Sequence, residues 1–408
     1  MTYRREFIKS AVSASTLLLL TACGGGSPTP AAPAPTSGGA PKPTSPAAAA
    51  PTPTTAQAAA TKPPAATTAP APTTAPAATT APAAAAGGAP ATADLDQLYA
   101  EAKKEGRLTW WTAHYPQDAA DAVHDAFVAK YPGIELEFIR QTAQVIYQRL
   151  NENLKAGTHA VDVFASTDES HYLTLKPQGV LASFTPPGVE NLPSTYRDID
   201  ADHTYHVGAL GFVLINYNTS KVQKPPQTWN DLLDPQWKDQ ITLGHPGFSG
   251  FVGNWTVAMW DKYGWDYFTK LAQNNPKIGR SINDTVTDLV AGERFVGAGP
   301  DNYSLSQKAA GNPVDVQFPT DDSILIVSPV GIMKDAPHPN AARLFESFYY
   351  SKEYSETMAK TYNYPLRTDV PSATGKGIDQ VKWYRNKGER LQTGIPEAVD
   401  QWRQTFGV

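Results

Sequence analysis

Cysteine is almost absent from this sequence, since Cys23 is the only one among 408 residues. A disulfide framework and a zinc site built on cysteines are therefore both excluded. Residues 24–92 contain no aromatic side chain and only two charged ones, Lys42 and Lys62, but hold 16 of the 36 prolines. With so little to bury, this stretch cannot offset the entropy lost on folding. We predict a disordered linker of Ala, Pro and Thr over residues 24–92.

Long apolar runs are also missing. The longest candidate, Ser10–Ala22, has 13 residues, whereas a helix needs about 20 residues to cross a bilayer. It follows the basic residues Arg4, Arg5 and Lys9 and ends at Cys23. A short apolar run after a basic start is typical of a signal peptide. We therefore predict that residues 1–23 are a signal peptide.

The end of this segment, Leu20-Thr21-Ala22-Cys23, resembles a bacterial lipobox, in which the cysteine is acylated. The stretch Tyr3–Lys9 is similar to a twin-arginine export signal, although Tyr3 stands where Ser or Thr is usual. The resemblance implies lipidation at Cys23, export, and an extracytoplasmic location at the cell membrane. An ordinary signal sequence with an incidental cysteine is the alternative.

Acidic residues outnumber basic ones in residues 93–408, by 38 to 29. Such a surface repels phosphate backbones, so a nucleic acid is not the expected partner. All nine tryptophans also lie in this part of the chain. Residues 93–408 therefore have the apolar material for a large core.

The first 70 residues of this region alternate between helical and strand patterns. Strands are expected at 108–112, 134–139 and 161–165, with helices at 118–130 and 143–155. Such an alternation predicts an α/β fold with a parallel sheet, whose ligands lie at the carboxyl ends of the strands. The loops that follow the first and third strands supply the candidate ligand-binding residues Thr112, His114, Tyr115, Thr167 and Asp168.

A second alternation of strands and helices lies between residues 225 and 310. Ser249 and Gly250 come between an apolar strand and a helix, where a hydroxyl and free N–H groups can bind an anion; a simple N-cap is the alternative. Further helix starts supply the other candidates, Ser281, Asn283, Asp301, Asn302 and Tyr303. For Ser281 and Asn283, capping competes with ligand contact.

Three segments, 229–238, 336–345 and 364–367, resemble extracellular solute-binding proteins of ABC importers. The similarity is to the branch that includes ferric-ion, thiamine and phosphonate binders. It implies a two-lobed type 2 periplasmic-binding-protein fold with the ligand in a cleft between the lobes. Lobe 1 is expected at 93–207 plus 320–370 and lobe 2 at 208–319 plus 371–408, with crossovers near 206–212 and 316–324.

The resemblance also implies a monomer that passes a small-molecule ligand to an importer permease, with no cofactor and no covalent chemistry. The lipid anchor would be its only contact with the membrane. A small polar or anionic solute is the predicted ligand. Residue types alone suggest an amine-bearing phosphonate or carboxylate, with its anionic group at Ser249 and Gly250 and its other end at Asp168 and Asp301. A sensor that reports ligand occupancy to a membrane kinase would share this fold.

The resemblance to ferric binders leaves a ferric ion as one alternative ligand, and a serine hydrolase is an alternative of another class. Ferric ion prefers phenolate and carboxylate oxygens, and the only candidates for such a site are His114, Asp168 and Tyr303, without the tyrosine pair of the ferric binders. A cell-surface serine hydrolase would need the Gly-x-Ser-x-Gly pattern around Ser249. Phe251 stands where its second glycine belongs, so that pattern is broken.

Overall fold

The computed structural model describes residues 94–408, and the predicted signal peptide, Cys23 and linker lie outside the described residues. In this part the helices are α1 Leu95–Glu105, α2 Gln117–Lys130, α3 Ala143–Lys155, α4 Ser170–Leu175, α5 Ser194–Arg197, α6 Gly250–Tyr263, α7 Asp266–Ala272, α8 Ile282–Ala291, α9 Asp301–Ala309, α10 Pro339–Phe348, α11 Lys352–Lys360 and α12 Gly388–Phe406. The strands are β1 Arg107–Thr112, β2 Glu135–Arg140, β3 Val163–Ala165, β4 His206–Asn218, β5 Ile241–Leu243, β6 Lys277–Ile278, β7 Val296–Pro300, β8 Val314–Gln317, β9 Ser323–Ile332 and β10 Trp383–Tyr384. No helix within residues 94–408 is both long and apolar enough to cross a membrane.

The strands lie in the order β2-β1-β3-β9-β4-β7-β5-β6, with β10 beside β9 and β8 beside β4. At one end β1 runs parallel to β2 and β3, and at the other β5 runs parallel to β6 and β7. Between them, β9 pairs antiparallel with β3 and with β4, and β4 pairs antiparallel with β7. Two parallel α/β halves are therefore connected through two long strands.

The strands β4 and β9 each belong to both halves. They pair with one another from His206 and Val330 to Val213 and Ile324. Beyond that point β4 continues into the second half, where it pairs with β7 from Val213 onward. The first predicted crossover lies within β4, while the second, at 316–324, ends where β9 begins.

Each half has its own apolar core. The first is built around β1, α2 and α10 and includes Trp110, and the second is built around α6 and includes Trp229, Trp255 and Trp402. Trp110 and Trp111 are both buried, in separate clusters on the two faces of β1. This follows from the strand geometry, because consecutive side chains point to opposite faces of a sheet.

The last helix of the chain continues through a proline. In the structure α12 begins at Gly388 and contains Pro396 in its interior. Interior proline is unfavourable in a helix, but Leu391, Ile395 and Trp402 are buried along one side of α12. Packing of this apolar face extends the helix past the proline.

Candidate functional site

A narrow cleft lies between the two halves, beside the carboxyl ends of β1, β2 and β3. Seven residues predicted from the sequence line it: His114, Tyr115, Thr167, Ser249, Ser281, Asn283 and Asn302. The other lining residues are Ala113, Pro116, Arg140, Thr142, Ala143, Phe251, Ile282 and Pro300. The cavity between these walls is about 30 Å³, room for about two water molecules. A ligand of several non-hydrogen atoms can therefore enter only if the walls move apart.

Five helices begin at the wall of this cavity. The residues that directly precede α2, α3, α6, α8 and α9 all line it: Pro116, Thr142, Ser249, Ser281 and Pro300. Each helix N-terminus carries partial positive charge and N–H groups without helical partners. Their convergence makes the cleft favourable for an anion.

The hydroxyls at these helix starts are used in two ways. Ser281 caps α8 by accepting a hydrogen bond from the N–H of Asn283 at 3.2 Å, and Asp284 completes the capping box. Thr142 and Ser249 occupy the same position before α3 and α6 but make no such side-chain bond. Their hydroxyls therefore remain available to a ligand.

His114 lies in the loop after β1, where Thr112 fixes its backbone by accepting its N–H at 3.1 Å. The ring Nε2 lies 2.8 Å from the carbonyl oxygen of Pro329 on β9. Because a carbonyl oxygen only accepts, Nε2 must carry the ring hydrogen and donate it. Burial lowers the pKa of His114 to about 4, so the ring is neutral at pH 7. In this tautomer Nδ1 is an acceptor, and it has no partner among the described residues.

Tyr115 follows in the same loop and is held behind the cleft. Its hydroxyl contacts the hydroxyl of Tyr354 and donates to the carbonyl of Gly208 on β4 at 3.3 Å. Burial raises its pKa well above the ordinary value. Tyr115 is therefore a neutral, hydrogen-bonded wall residue.

Arg140 is a lining residue that the sequence reasoning missed. It ends β2, and its Nε donates to the carbonyl of Tyr115 at 2.7 Å. The residue is half-buried and forms no ion pair with a carboxylate in residues 94–408. The loop after the second parallel strand was the available signal, because β2 lies at the same sheet edge as β1 and β3.

Five predicted site residues do not line the cavity: Thr112, Asp168, Gly250, Asp301 and Tyr303. The hydroxyl of Thr112 accepts the N–H of His114 instead. Gly250 is packed against Thr167 of the opposite half, and a Cβ on Gly250 would lie 2.5 Å from Oγ1 and 2.8 Å from the backbone oxygen of Thr167. Tyr303 packs beside the apolar cluster of Val286, Leu289 and Val314.

The two predicted acids are bonded to other protein groups. Asp168 accepts from the N–H and hydroxyl of Ser170 at 3.0 and 2.6 Å and from Gln144 at 3.1 Å. Asp301 accepts from the N–H of Phe212 on β4 at 3.1 Å. It is fully buried, and burial raises its pKa to about 7.

The three residues predicted for the ferric alternative do not come together in the cleft. Of His114, Asp168 and Tyr303, only His114 lines the cleft. Across residues 94–408 there is also no group of three or more His, Cys, Asp or Glu residues that could hold a metal ion. The arrangement can hold an anion through N–H groups, hydroxyls and one guanidinium.

Comparison with known proteins gives consistent matches. A family model described as "Bacterial extracellular solute-binding protein" matches residues 159–383, which is more than half of the chain. The curated "Putative 2-aminoethylphosphonate-binding periplasmic protein" of Salmonella paratyphi A is 22% identical over 300 residues, covering 69% of this chain and 85% of that protein.

Two solved structures show the same architecture. The periplasmic binding protein AfuA from Actinobacillus pleuropneumoniae, with fructose-6-phosphate bound, matches with a TM-score of 0.66 and 21% identity over 74% of this chain and 99% of that one. Iron-bound HitA from Pseudomonas aeruginosa matches with a TM-score of 0.63 and 17% identity over 73% of this chain and 99% of that one. The predicted α/β fold of the type 2 periplasmic binding proteins is thus confirmed.

Proposed function

Because the chain belongs to the bacterial extracellular solute-binding protein family, we propose that it is the extracytoplasmic receptor of an ABC importer. In this role it captures a small anionic solute between its two lobes and delivers it to the permease. The observation that carries the proposal is the convergence of five helix N-termini and Arg140 on one interlobe cavity. The names of relatives that bind a phosphonate or a sugar phosphate support an anion.

Capture would proceed by movement of the lobes about β4 and β9. In the closed arrangement the Nδ2 of Asn254 donates to the carbonyl of Thr167 at 3.3 Å, and the N–H of Gln144 donates to the carbonyl of Phe248 at 3.4 Å. A ligand that bridges both walls selects this closed form, because only there does it contact both lobes. The small cavity requires opening for entry and release.

The geometry does not support the hydrolase alternative. Ser249 lies at a helix start, but none of its described hydrogen bonds joins its hydroxyl to a histidine. Ser166 does contact Nδ1 of His171 at 2.8 Å, with Asp168 3.3 Å from Nε2. All three side chains are buried and none lines the cavity, so no substrate reaches that serine. We propose binding without catalysis.

The proposed receptor is held at the membrane by lipid on Cys23, with residues 24–92 as the spacer. Expression of the full chain in a bacterium with radiolabelled palmitate tests this: we expect label on the wild type and recovery in the membrane fraction. Cys23→Ser should lose both. Labelled Cys23→Ser protein would contradict lipidation at this residue.

Thermal unfolding and calorimetric titration of residues 93–408 test the anion site. The panel is phosphate, methylphosphonate, 2-hydroxyethylphosphonate, fructose 6-phosphate, small dicarboxylates and ferric citrate. A binder raises the melting temperature, since it stabilises only the folded state. Arg140→Gln should weaken anion binding roughly 10- to 100-fold, because it removes hydrogen bonds to a charged group.

Arg149→Gln is the matched control, because its guanidinium stacks 4.8 Å from the ring of Trp111 and does not line the cavity. It should leave affinity unchanged. No binding by any anion, or equal loss in both variants, would contradict the proposed function. A ferric-dependent shift lost in Tyr303→Phe would favour the iron alternative instead.

A further inference from the structure

The charge in the cleft wall has one sign. Of the fifteen lining residues, Arg140 is the only one with a formal charge at neutral pH, since the ring of His114 is neutral. No carboxylate is among these described residues. The positive ends of five helices add to the guanidinium. A ligand group placed here therefore meets positive potential from several directions and no carboxylate in the wall itself, because the first-turn aspartates of α2, α8 and α9 do not line the cavity.

The nearest acids cannot readily supply a negative counter-charge. Both Oδ atoms of Asp168 are occupied by Ser170 and Gln144, and Oδ2 also lies 3.3 Å from Nε2 of His171. Asp301 is fully buried and does not line the cavity. Its Oδ1 accepts from the N–H of Phe212, while its Oδ2 has no partner among the described residues. To contact a ligand, Asp168 would have to break these bonds, whereas Asp301 would have to become exposed from a fully buried position in which burial raises its pKa to about 7.

The uncharged part of the wall suits hydroxyl groups. Thr142 and Ser249 carry hydroxyls that make no capping bond. For Thr167 and Asn283, only backbone groups take part in the hydrogen bonds described. Hydroxyl and carboxamide side chains both donate and accept. They can therefore pair with hydroxyls on the carbon part of a ligand without requiring charge there.

We infer that this cleft takes a hydroxyl-bearing phosphonate or phosphate ester without a positively charged amine, and that it rejects the corresponding amino compound. This inference rests on the proposed function. The ammonium of 2-aminoethylphosphonate would be desolvated between helix N-termini and Arg140. Among the fifteen lining residues, the one fully buried acceptor without a partner is the neutral Nδ1 of His114, which does not compensate a full charge.

The test uses two probes that differ in one group, 2-hydroxyethylphosphonate and 2-aminoethylphosphonate. Calorimetric titration of residues 93–408 at pH 7 should give an affinity for the hydroxy compound at least about tenfold higher. Asn283→Asp, nearly isosteric, introduces a carboxylate into the wall. It should shift the ratio of the two affinities about tenfold or more toward the amino compound.

The outcomes separate this inference from the proposed function. If 2-aminoethylphosphonate binds as well as or better than the hydroxy compound, the inference is wrong and the anion receptor stands. If neither probe binds but another anion does so in a manner sensitive to Arg140→Gln, the inference is again wrong and the receptor stands. If no anion of the panel binds the folded protein, the proposed function fails with it.

Discussion

Two buried side chains, His114 and Asp301, each contact one of the crossover strands. His114 bonds to Pro329 on β9, and Asp301 bonds to Phe212 on β4. Burial moves their pKa values in opposite directions, to about 4 for His114 and about 7 for Asp301. Both remain uncharged over much of the range between those two values. Their effects on the pH dependence of stability should therefore oppose each other.

The signs follow from proton linkage. Between pH 4 and 6.5 the unfolded chain protonates His114 and the native state does not, so this group makes the unfolding free energy rise with pH. Between pH 3.8 and 7 the native state keeps a proton on Asp301 that the unfolded chain loses, so this group makes it fall with pH. Each slope is at most roughly 1.4 kcal/mol per pH unit.

Substitution of either residue should leave only the contribution of the other to the pH dependence of the unfolding free energy. Between pH 4 and 6.5, the slope of the unfolding free energy against pH should be lower in His114→Gln than in wild type. In Asp301→Asn the slope should be higher than in wild type. Urea unfolding at half-unit pH steps measures both slopes. Differences of the same sign in the two variants would contradict these protonation states.

At the scale of elements, α12 is held by tertiary packing. It contacts α6 in the second half, where Trp402 is fully buried, and it also reaches α4 through Gln392 and Thr174. Just before it, Arg385 pairs with Glu169 at 2.8 Å and Asn386 bonds to the carbonyl of Asn254. The C-terminal segment is therefore attached to both halves.

Trp402→Ala should lower the unfolding free energy by about 3–5 kcal/mol, because it deletes a large side chain from the second core. Arg403→Ala, on the exposed side of the same helix, should change it by less than about 0.5 kcal/mol. Urea unfolding of the two variants compares the two faces directly. Similar losses in both would show that α12 stability does not come from its buried face.

At the scale of the whole molecule, the proposed closure would depend on the approach of Gly250 to Thr167. A Cβ at position 250 would lie well within contact distance of the backbone of Thr167, so the closed form cannot accommodate it unchanged. The cost of such overpacking is about 1–3 kcal/mol, and the open form would not bear it. The lobes would then close less completely on a ligand.

Gly250→Ala should therefore weaken binding of a panel anion roughly 5- to 150-fold, with a smaller effect on stability without ligand. Small-angle scattering with saturating ligand should show a more open form than wild type. Gly264→Ala is the control: its φ of +72° and empty surroundings predict reduced stability and unchanged affinity. Wild-type affinity in Gly250→Ala would show that this contact does not limit closure.

The sequence by itself determined the local elements and the fold class. The apolar spacing predicted the helix Ala143–Lys155 at both ends, and Ser281 caps the helix that follows it. These features depend on residues three or four positions apart, so they can be read from the chain. The seven predicted residues that line the cleft follow from the same logic, because strand ends and helix starts share one edge of the sheet.

Only the tertiary structure decided which side chains face the cavity. Arg140 enters the site because β2 lies next to β1, and the direction of its side chain is set by the carbonyl of Tyr115 in the neighbouring loop. Asp168 and Asp301 do not line the cavity, and distant donors, Gln144 and Phe212, each bind one oxygen of their carboxyl groups. A side chain's direction depends on partners far away in the sequence, whereas a helix start depends on the residues beside it.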